Sequence, residues 1–495
     1  MSALRKLASQ TAIYGLTSMA RLVYSLLLVP LQTAVCSRAE YGVVSNLYAY
    51  IPFFTALLTL GMETAYFRFA SDREDQNKVY GTAYITILIA ALSFLGLSWI
   101  FQDPLSSLLH YESNPEYIQL TSLILCLDLI AAIPFVRLRQ QNKPIRFATA
   151  RIINMATVIL VNVFFLWFCP LVLEGNIYQD YLPLVKNIYF SNNPVLYVFL
   201  ANLFGSVIQL LFLLPELMGF KYGFDKTLWK DMFRYGWPMM LVGLAGMVNE
   251  TLDRAIIPYL IPDRTLAEEQ LGVYGACYKL SIFLTVFVQA FRFAAEPFFF
   301  NKAKDKDAKQ TYVQVMDWFV LVCACIFLGI NLFIDVAKLY IDEKFWDGLH
   351  VVPILLLANL FLGVYVNLSV WYKLTNKTKI GSLISLGGAL LTIILLFSFV
   401  PSFGYTAAAW TTLICYFCMA VVGYFTGRKY FPVPYHIFQN LIYIFGALFI
   451  YLLSLKFDEY LYDPVYKNLA HTYIFLIYFV MVTAYQLRSD KRLLA

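Results

Sequence analysis

Residues 379–429 read KIGSLISLGGALLTIILLFSFVPSFGYTAAAWTTLICYFCMAVVGYFTGRK. No charged side chain lies between Lys379 and Arg428. About 20 apolar residues cross a bilayer core as one helix, so this run is long enough for two. It divides at 401–404 into spans 380–400 and 405–427. Basic residues flank both open ends, and none lies in the turn. Lys and Arg concentrate in cytoplasmic loops, so the turn faces out.

The same pattern extends over the whole chain. Apolar stretches fall at 10–32, 42–67, 80–101, 117–137, 145–168, 194–216, 235–260, 271–298, 312–335 and 349–371 before the hairpin, and at 437–455 and 468–487 after it. The segments between them alternate between basic and nearly free of basic residues. Outer loops hold only Arg38, Lys186, Arg264, Lys338, Lys344, Lys456 and Lys467. Spans hold Arg21, Arg254, Lys279 and Arg292. The rest of the 37 basic residues lie in the alternate segments, from Arg5 and Lys6 to Lys491 and Arg492. A miscounted helix would put several basic loops on the wrong side. The pattern therefore predicts an all-α polytopic membrane protein of fourteen transmembrane helices, with both termini cytoplasmic.

Composition agrees. Of 495 residues, 60% are hydrophobic and 14% charged, against about 25% charged in soluble domains. The net charge of +6 belongs to dispersed inner loops, so no nucleic-acid partner is expected. The eight cysteines, Cys415 and Cys418 included, sit almost wholly within spans and read as small buried hydrophobes. The first span lacks a small-residue cleavage site and is expected to stay as a helix. The four histidines, at 110, 350, 436 and 471, lack metal-ligand spacing. There is no P-loop, Rossmann glycine pattern or Gly-x-Ser-x-Gly. No metal, cofactor, catalytic residue or ATP-driven step is expected. The longest outer loop, near Cys169–Asn193, is too short for a domain, so function is expected between the helices.

The chain repeats itself. Span one opens with Tyr14-Gly15 and span seven with Tyr235-Gly236. The following spans begin Tyr41-Gly42-Val43 and Leu271-Gly272-Val273-Tyr274, and end Phe67-Arg68-Phe69 and Phe291-Arg292-Phe293. An insertion around Pro262–Gln270 accounts for the longer second spacing. Six helices separate the copies, so they share one orientation, a known transporter plan of parallel repeats about the membrane normal. The expected division is an N-terminal lobe over 1–225, a C-terminal lobe over 226–430, and an added helix pair over 431–495.

Ala39-Glu40-Tyr41-Gly42-Val43, Leu60-Gly61-Met62-Glu63-Thr64-Ala65 and Phe67-Arg68-Phe69 resemble the N-terminal signature of bacterial polysaccharide-export flippases of the Wzx type. These belong to the MOP superfamily, which also holds the multidrug MATE exporters and the lipid II flippase. The resemblance implies a V-shaped pair of six-helix lobes around a central cavity, working by alternating access. It implies a substrate of undecaprenyl-pyrophosphate-linked oligosaccharide, crossing the bacterial cytoplasmic membrane for surface polysaccharide export. It also suggests, as partners, membrane lipids, a polysaccharide polymerase and chain-length machinery. Multidrug exporters of the superfamily typically have twelve spans, so a cation-coupled exporter is the second reading. A membrane polymerase or ligase is the third, disfavoured by short outer loops nearly free of basic residues.

Ionisable residues at membrane depth are costly and usually face a bundle interior or wet cavity. Arg21 lies mid-span and shares a helical face with Thr11, Tyr14, Ser18 and Ser25. A guanidinium holds a phosphate through two parallel hydrogen bonds; the alternative is a structural pair with Asp128 or Glu63. Arg292 shares a face with Gln289 and with Glu296, which is spaced to neutralise it. Glu250 and Arg254 are spaced for an intrahelical pair, with Asp253 adjacent. Lys279 lies close enough to the outer boundary to snorkel. Candidates for substrate contact are therefore Arg21, Arg292, Gln289, Ser18, Ser25, Arg254 and Lys279. Candidates for Na+ or H+ coupling, or for charge pairing, are Asp128, Glu63, Glu250, Asp253 and Glu296. Arg68 belongs to the cytoplasmic rim.

Overall fold

The computed structural model describes residues 20, 22–72, 75–141, 143–175, 178–189, 193–218, 223–303, 305, 307–375, 377–460 and 463–494. Among these, every regular element is a helix. The main ones are α1 (Leu22–Val35), α2 (Arg38–Leu58), α3 (Met62–Asp72), α4 (Gln76–Ile100), α5 (Glu116–Gln140), α6 (Pro144–Leu173), α7 (Pro194–Phe212), α8 (Lys226–Leu260), α9 (Arg264–Leu280), α10 (Ile282–Lys302), α11 (Ala308–Leu332), α12 (Val352–Leu368), α13 (Thr378–Tyr430), α14 (Ile437–Asp458) and α15 (Pro464–Leu494). By length and composition, ten of the described helices suffice to cross a membrane, or eleven if α9 and the start of α10, bent by 53°, count as one span. The chain is a multi-pass membrane protein.

Contacts divide the chain into two compact units, one ending at Gly275 and the other beginning at Ala276. In the first, the main packing pairs are α2 with α8, α4 with α5, and α7 with α5 and α6. Its largest buried side chains are aromatic, Tyr66, Tyr80, Tyr197 and Phe199 among them. In the second, α12 packs along α13, and α11 packs against α12, α14 and α15.

Proline and glycine punctuate these helices. The run quoted above is one 53-residue helical element folded at Gly404, whose φ of 60° and ψ of −149° lie in a region only glycine adopts freely. Two arms result. Elsewhere the breaks were less legible. The expected continuous span 42–67 is two helices. Leu60 and Gly61 both take positive φ, 51° and 70°, ending α2 and restarting the chain as α3. The expected span 271–298 bends at the fully buried Ser281.

Candidate functional site

The two sequence copies meet within the first unit. Gly42 of α2 faces Gly272 of α9 so closely that a Cβ on Gly42 would lie 2.0 Å from the Glu268 carbonyl oxygen. A Cβ on Gly272 would lie 1.9 Å from the Arg38 carbonyl oxygen. Each glycine thus abuts the carbonyl one helical turn before the other. Three residues on, Gly275 meets Ser45, where a Cβ would lie 2.4 Å from Oγ. Residue i contacts j and equivalent j contacts i, the signature of two-fold symmetry. Because 42 meets 272 and 45 meets 275, the helices run in the same direction. Small residues permit such backbone approach between membrane helices. A second glycine contact joins the end of α2 to α8: a Cβ on Gly61 would sit 2.1 Å from Gly236 O.

A polar seam continues from this contact. Pro258 lacks an N–H, so the Arg254 carbonyl, four residues earlier in α8, loses its helical donor. Asn46 of α2 supplies one: its Nδ2 lies 3.0 Å from Arg254 O and 3.2 Å from Ala255 O. The Asn46 Oδ1 accepts from Tyr111 OH at 3.0 Å. Tyr50, one turn along α2, donates to Ala255 O at 3.0 Å and touches Tyr259 OH at 3.1 Å. Arg264, at the start of α9, pairs with Glu268 at 2.8 Å and donates to Leu109 O at 3.1 Å.

The sequence candidates distribute as follows. Asp253 is buried on α8 and accepts from Tyr274 OH at 2.5 Å. Arg254 Nε lies 3.4 Å from Asp253 Oδ1, while its Nη2 donates to the backbone carbonyl of Glu250 at 2.5 Å. Glu250 itself is exposed. Asp128, half-buried on α5, accepts from Ser206 Oγ of α7 at 2.8 Å. Ser25 is buried on α1. Glu63 opens α3 and lies 3.9 Å from Arg139. Arg68 is exposed on α3, its guanidinium 4.4 Å from the Tyr235 ring centre. In the second unit, Lys279 and Gln289 are half-buried and Arg292 is exposed. Arg21 and Ser18 lie outside the described residues, as does the Glu296 side chain.

Sequence reasoning missed Asn46, Tyr50, Tyr111, Tyr259 and Tyr274. A signal existed only for the first two, a polar residue and a tyrosine four apart on an apolar helix. Chemically, the seam ties α2, α8 and α9 together through amide, phenol, carboxylate and guanidinium groups.

Comparison with known structures places the fold. At 15% identity, covering 97% of this chain and 99% of the other, the chain is similar to the lipid II flippase MurJ in an inward closed conformation, with a TM-score of 0.69. It is similar to a multidrug resistance MATE family transporter of the MOP superfamily in an inward-facing conformation, at 14% identity over 83% of this chain and 94% of the other, with a TM-score of 0.62. A MATE structure in the straight conformation gives 14%, 86%, 94% and 0.59 in the same order. No curated protein matches the chain. Residues 4–302, more than half the chain, match the family described as polysaccharide biosynthesis protein, and the chain belongs to that family.

Proposed function

We propose that this protein is a flippase that carries an undecaprenyl-pyrophosphate-linked oligosaccharide across the bacterial cytoplasmic membrane by alternating access, with fourteen spans and both termini in the cytoplasm. The observation that carries this reading is the reciprocal contact of Gly42 with Gly272. Two parallel repeats related by rotation are the plan on which lobes rock about a central site, and α2 and α9 occupy equivalent places in the two expected lobes. Family membership supplies the polysaccharide context, and the likeness to MurJ and MATE structures supplies the fold. In this reading nothing is made or broken covalently. The Asn46 seam closes one side, and Asp128, with Ser206 as its hydrogen-bond donor, is a candidate for H+ or Na+ coupling.

Arg21 is the proposed phosphate contact. A hydrogen bond to a charged group contributes about 1.5–3 kcal/mol, and 1.4 kcal/mol is a factor of ten. In vesicles loaded with a fluorescent lipid-linked oligosaccharide, Arg21→Ala should slow translocation by about one to two orders of magnitude at normal protein abundance. Arg21→Lys should recover part of the rate, because an ammonium keeps charge without the planar fork. Unchanged translocation by Arg21→Ala would overturn the phosphate role. Wild-type vesicles that move organic cations but not the lipid-linked sugar would replace the flippase with a drug exporter.

A further inference from the structure

The second unit carries an apolar groove of about 280 Å3 between α11, α12, the second arm of α13, and α14. Met316, Leu368, Phe425 and Leu441 are among its walls, and Phe425 and Leu441 are exposed at the protein surface. Its polar lining residues are Tyr424, Tyr435 and the buried Asn440.

All four helices bring the groove to one basic end. Tyr312 of α11 packs on Phe431, and Trp371, just past α12, stacks on Tyr430, with ring centres 6.3 and 5.8 Å apart. Both contacts converge on the turn between α13 and α14. Around that turn the Lys377 ammonium lies 3.8 Å and that of Lys429 5.6 Å from the Tyr430 ring centre, and Lys309 lies 5.3 Å from that of Phe431. Arg428, one turn beyond Phe425, is exposed. Two of the acids here are engaged or buried: Asp305 pairs with Lys302 at 2.9 Å, and Asp317 is fully buried against His436 at 2.8 Å. Asp307 is exposed at the start of α11 and makes no side-chain capping bond, so it offsets one of the four basic groups.

We infer that this groove is a binding site for an anionic phospholipid, with one acyl chain along the apolar walls and the phosphate among Lys309, Lys377, Arg428 and Lys429. Charge complementarity selects the occupant. Basic pockets between membrane helices hold anionic head groups, and aromatic rings beside them match the interfacial zone where head group meets chain. The inference needs only membrane insertion and stands apart from the flippase reading.

The test is native mass spectrometry of the full chain released from nanodiscs of mixed phosphatidylglycerol and phosphatidylcholine. Wild-type protein should retain phosphatidylglycerol preferentially. Ala420→Trp, which fills the groove from α13, should cut that retention at least tenfold. Leu441→Trp, at an exposed position on the opposite wall, should do the same and guards against misfolding of the first variant. Lys377→Gln and Lys429→Gln should each weaken phosphatidylglycerol retention about fivefold and leave phosphatidylcholine unchanged. Equal retention of the two lipids, or unchanged retention in both groove-filled variants, would overturn the site. So would complete displacement of phosphatidylglycerol by an equimolar polyisoprenyl phosphate, which would assign the groove to an isoprenoid chain.

Discussion

Two seams hold helices together by opposite means. Where α2 meets α9, backbone lies on backbone at Gly42 and Gly272, each against the other helix's carbonyl, with Gly275 against the Ser45 side chain one turn on. Where α11 meets α14 and α15, side chains do the joining. At one end Asp317 holds His436 at 2.8 Å, Gln439 bonds Gln486 at 2.6 Å, and Trp318 and Gln486 both donate to Asp490 at 3.0 Å. At the other end Lys467 bridges Asp335 at 2.6 Å and Asp458 at 3.1 Å, while His471 meets Asp458 at 2.9 Å. Hydrogen bonds are directional and fix register; a glycine contact contains none to break. The first seam therefore tolerates tilting but no added atom. The second tolerates small changes of volume but not the loss of a partner.

The largest expected effect is a methyl group at the glycine seam. Gly42→Ala puts Cβ inside the Glu268 carbonyl, and backbone atoms have no rotamer by which to yield. Overpacking costs about 1–3 kcal/mol, occasionally more, and this site belongs at the upper end. Gly272→Ala should cost the same, because the two contacts are equivalent. The double variant should cost less than their sum, since the first methyl already parts the helices. Gly275→Ala meets the Ser45 hydroxyl at 2.4 Å, which can rotate away, and the Ser45 Cβ at 3.1 Å, which must give by a few tenths of an ångström, while Gly246→Ala meets nothing within 4 Å. Thermal melts of the purified variants should rank in that order. Unequal losses at 42 and 272 would break the pseudo-symmetry.

Next comes the polar seam. The Asp317 carboxylate also takes a hydrogen bond from the Asn440 side chain, so Asp317→Ala leaves both Asn440 and the partly buried His436 without an acceptor, and an unsatisfied buried group costs about 1–3 kcal/mol. The loss should appear as faster proteolysis in the turn before α14, with the α2–α9 seam intact. Asp317→Asn, which keeps an acceptor, should recover part of it. If both variants match wild type, the side chains are not what joins the pair.

These contrasts also explain what could be read from sequence. The hairpin at 401–404 was legible because an uninterrupted apolar run twice the needed length has to turn. The equivalence of Gly42 and Gly272 was legible as a repeat, since similar residues flank both, but their contact was not. Their unequal loop spacing is accounted for in part by α9, which starts eight residues before its glycine where α2 starts four before. The break at Leu60-Gly61 was hidden, because both residues are apolar and the positive φ of a leucine leaves no trace in composition. The bend at Ser281 was hidden likewise, with neither proline nor glycine beside it. Asn46 was invisible as a seam residue because its reason lies 212 positions away, in the N–H that Pro258 lacks. The charges were found by depth alone, which lists candidates and does not group them. Asp253 and Arg254 prove to be neighbours in the seam, while Glu250 presents only its carbonyl.

The smallest expected effect sharpens the Asp335 end of the α11 seam. Burial works to raise the Asp335 carboxyl, but Lys338 and Lys467 outweigh it and hold the group below its ordinary value of 3.8. A depressed folded value means the native state favours the ionised form. Its contribution is complete above the unfolded value and is lost as pH falls through the folded one. Asp335 is 38% exposed, so solvent screening limits the contribution to about 0.2–1 kcal/mol. Asp335→Asn should therefore lower Tm slightly at pH 6, by a constant amount down to about pH 4, and the difference from wild type should vanish at lower pH. High salt should shrink it as well. A difference that grows on acidification would reverse the sign and show that the carboxyl is held protonated. A difference independent of pH would mean that Asp335 acts through packing, and that the two ends of α11 grip the helix pair by different physics.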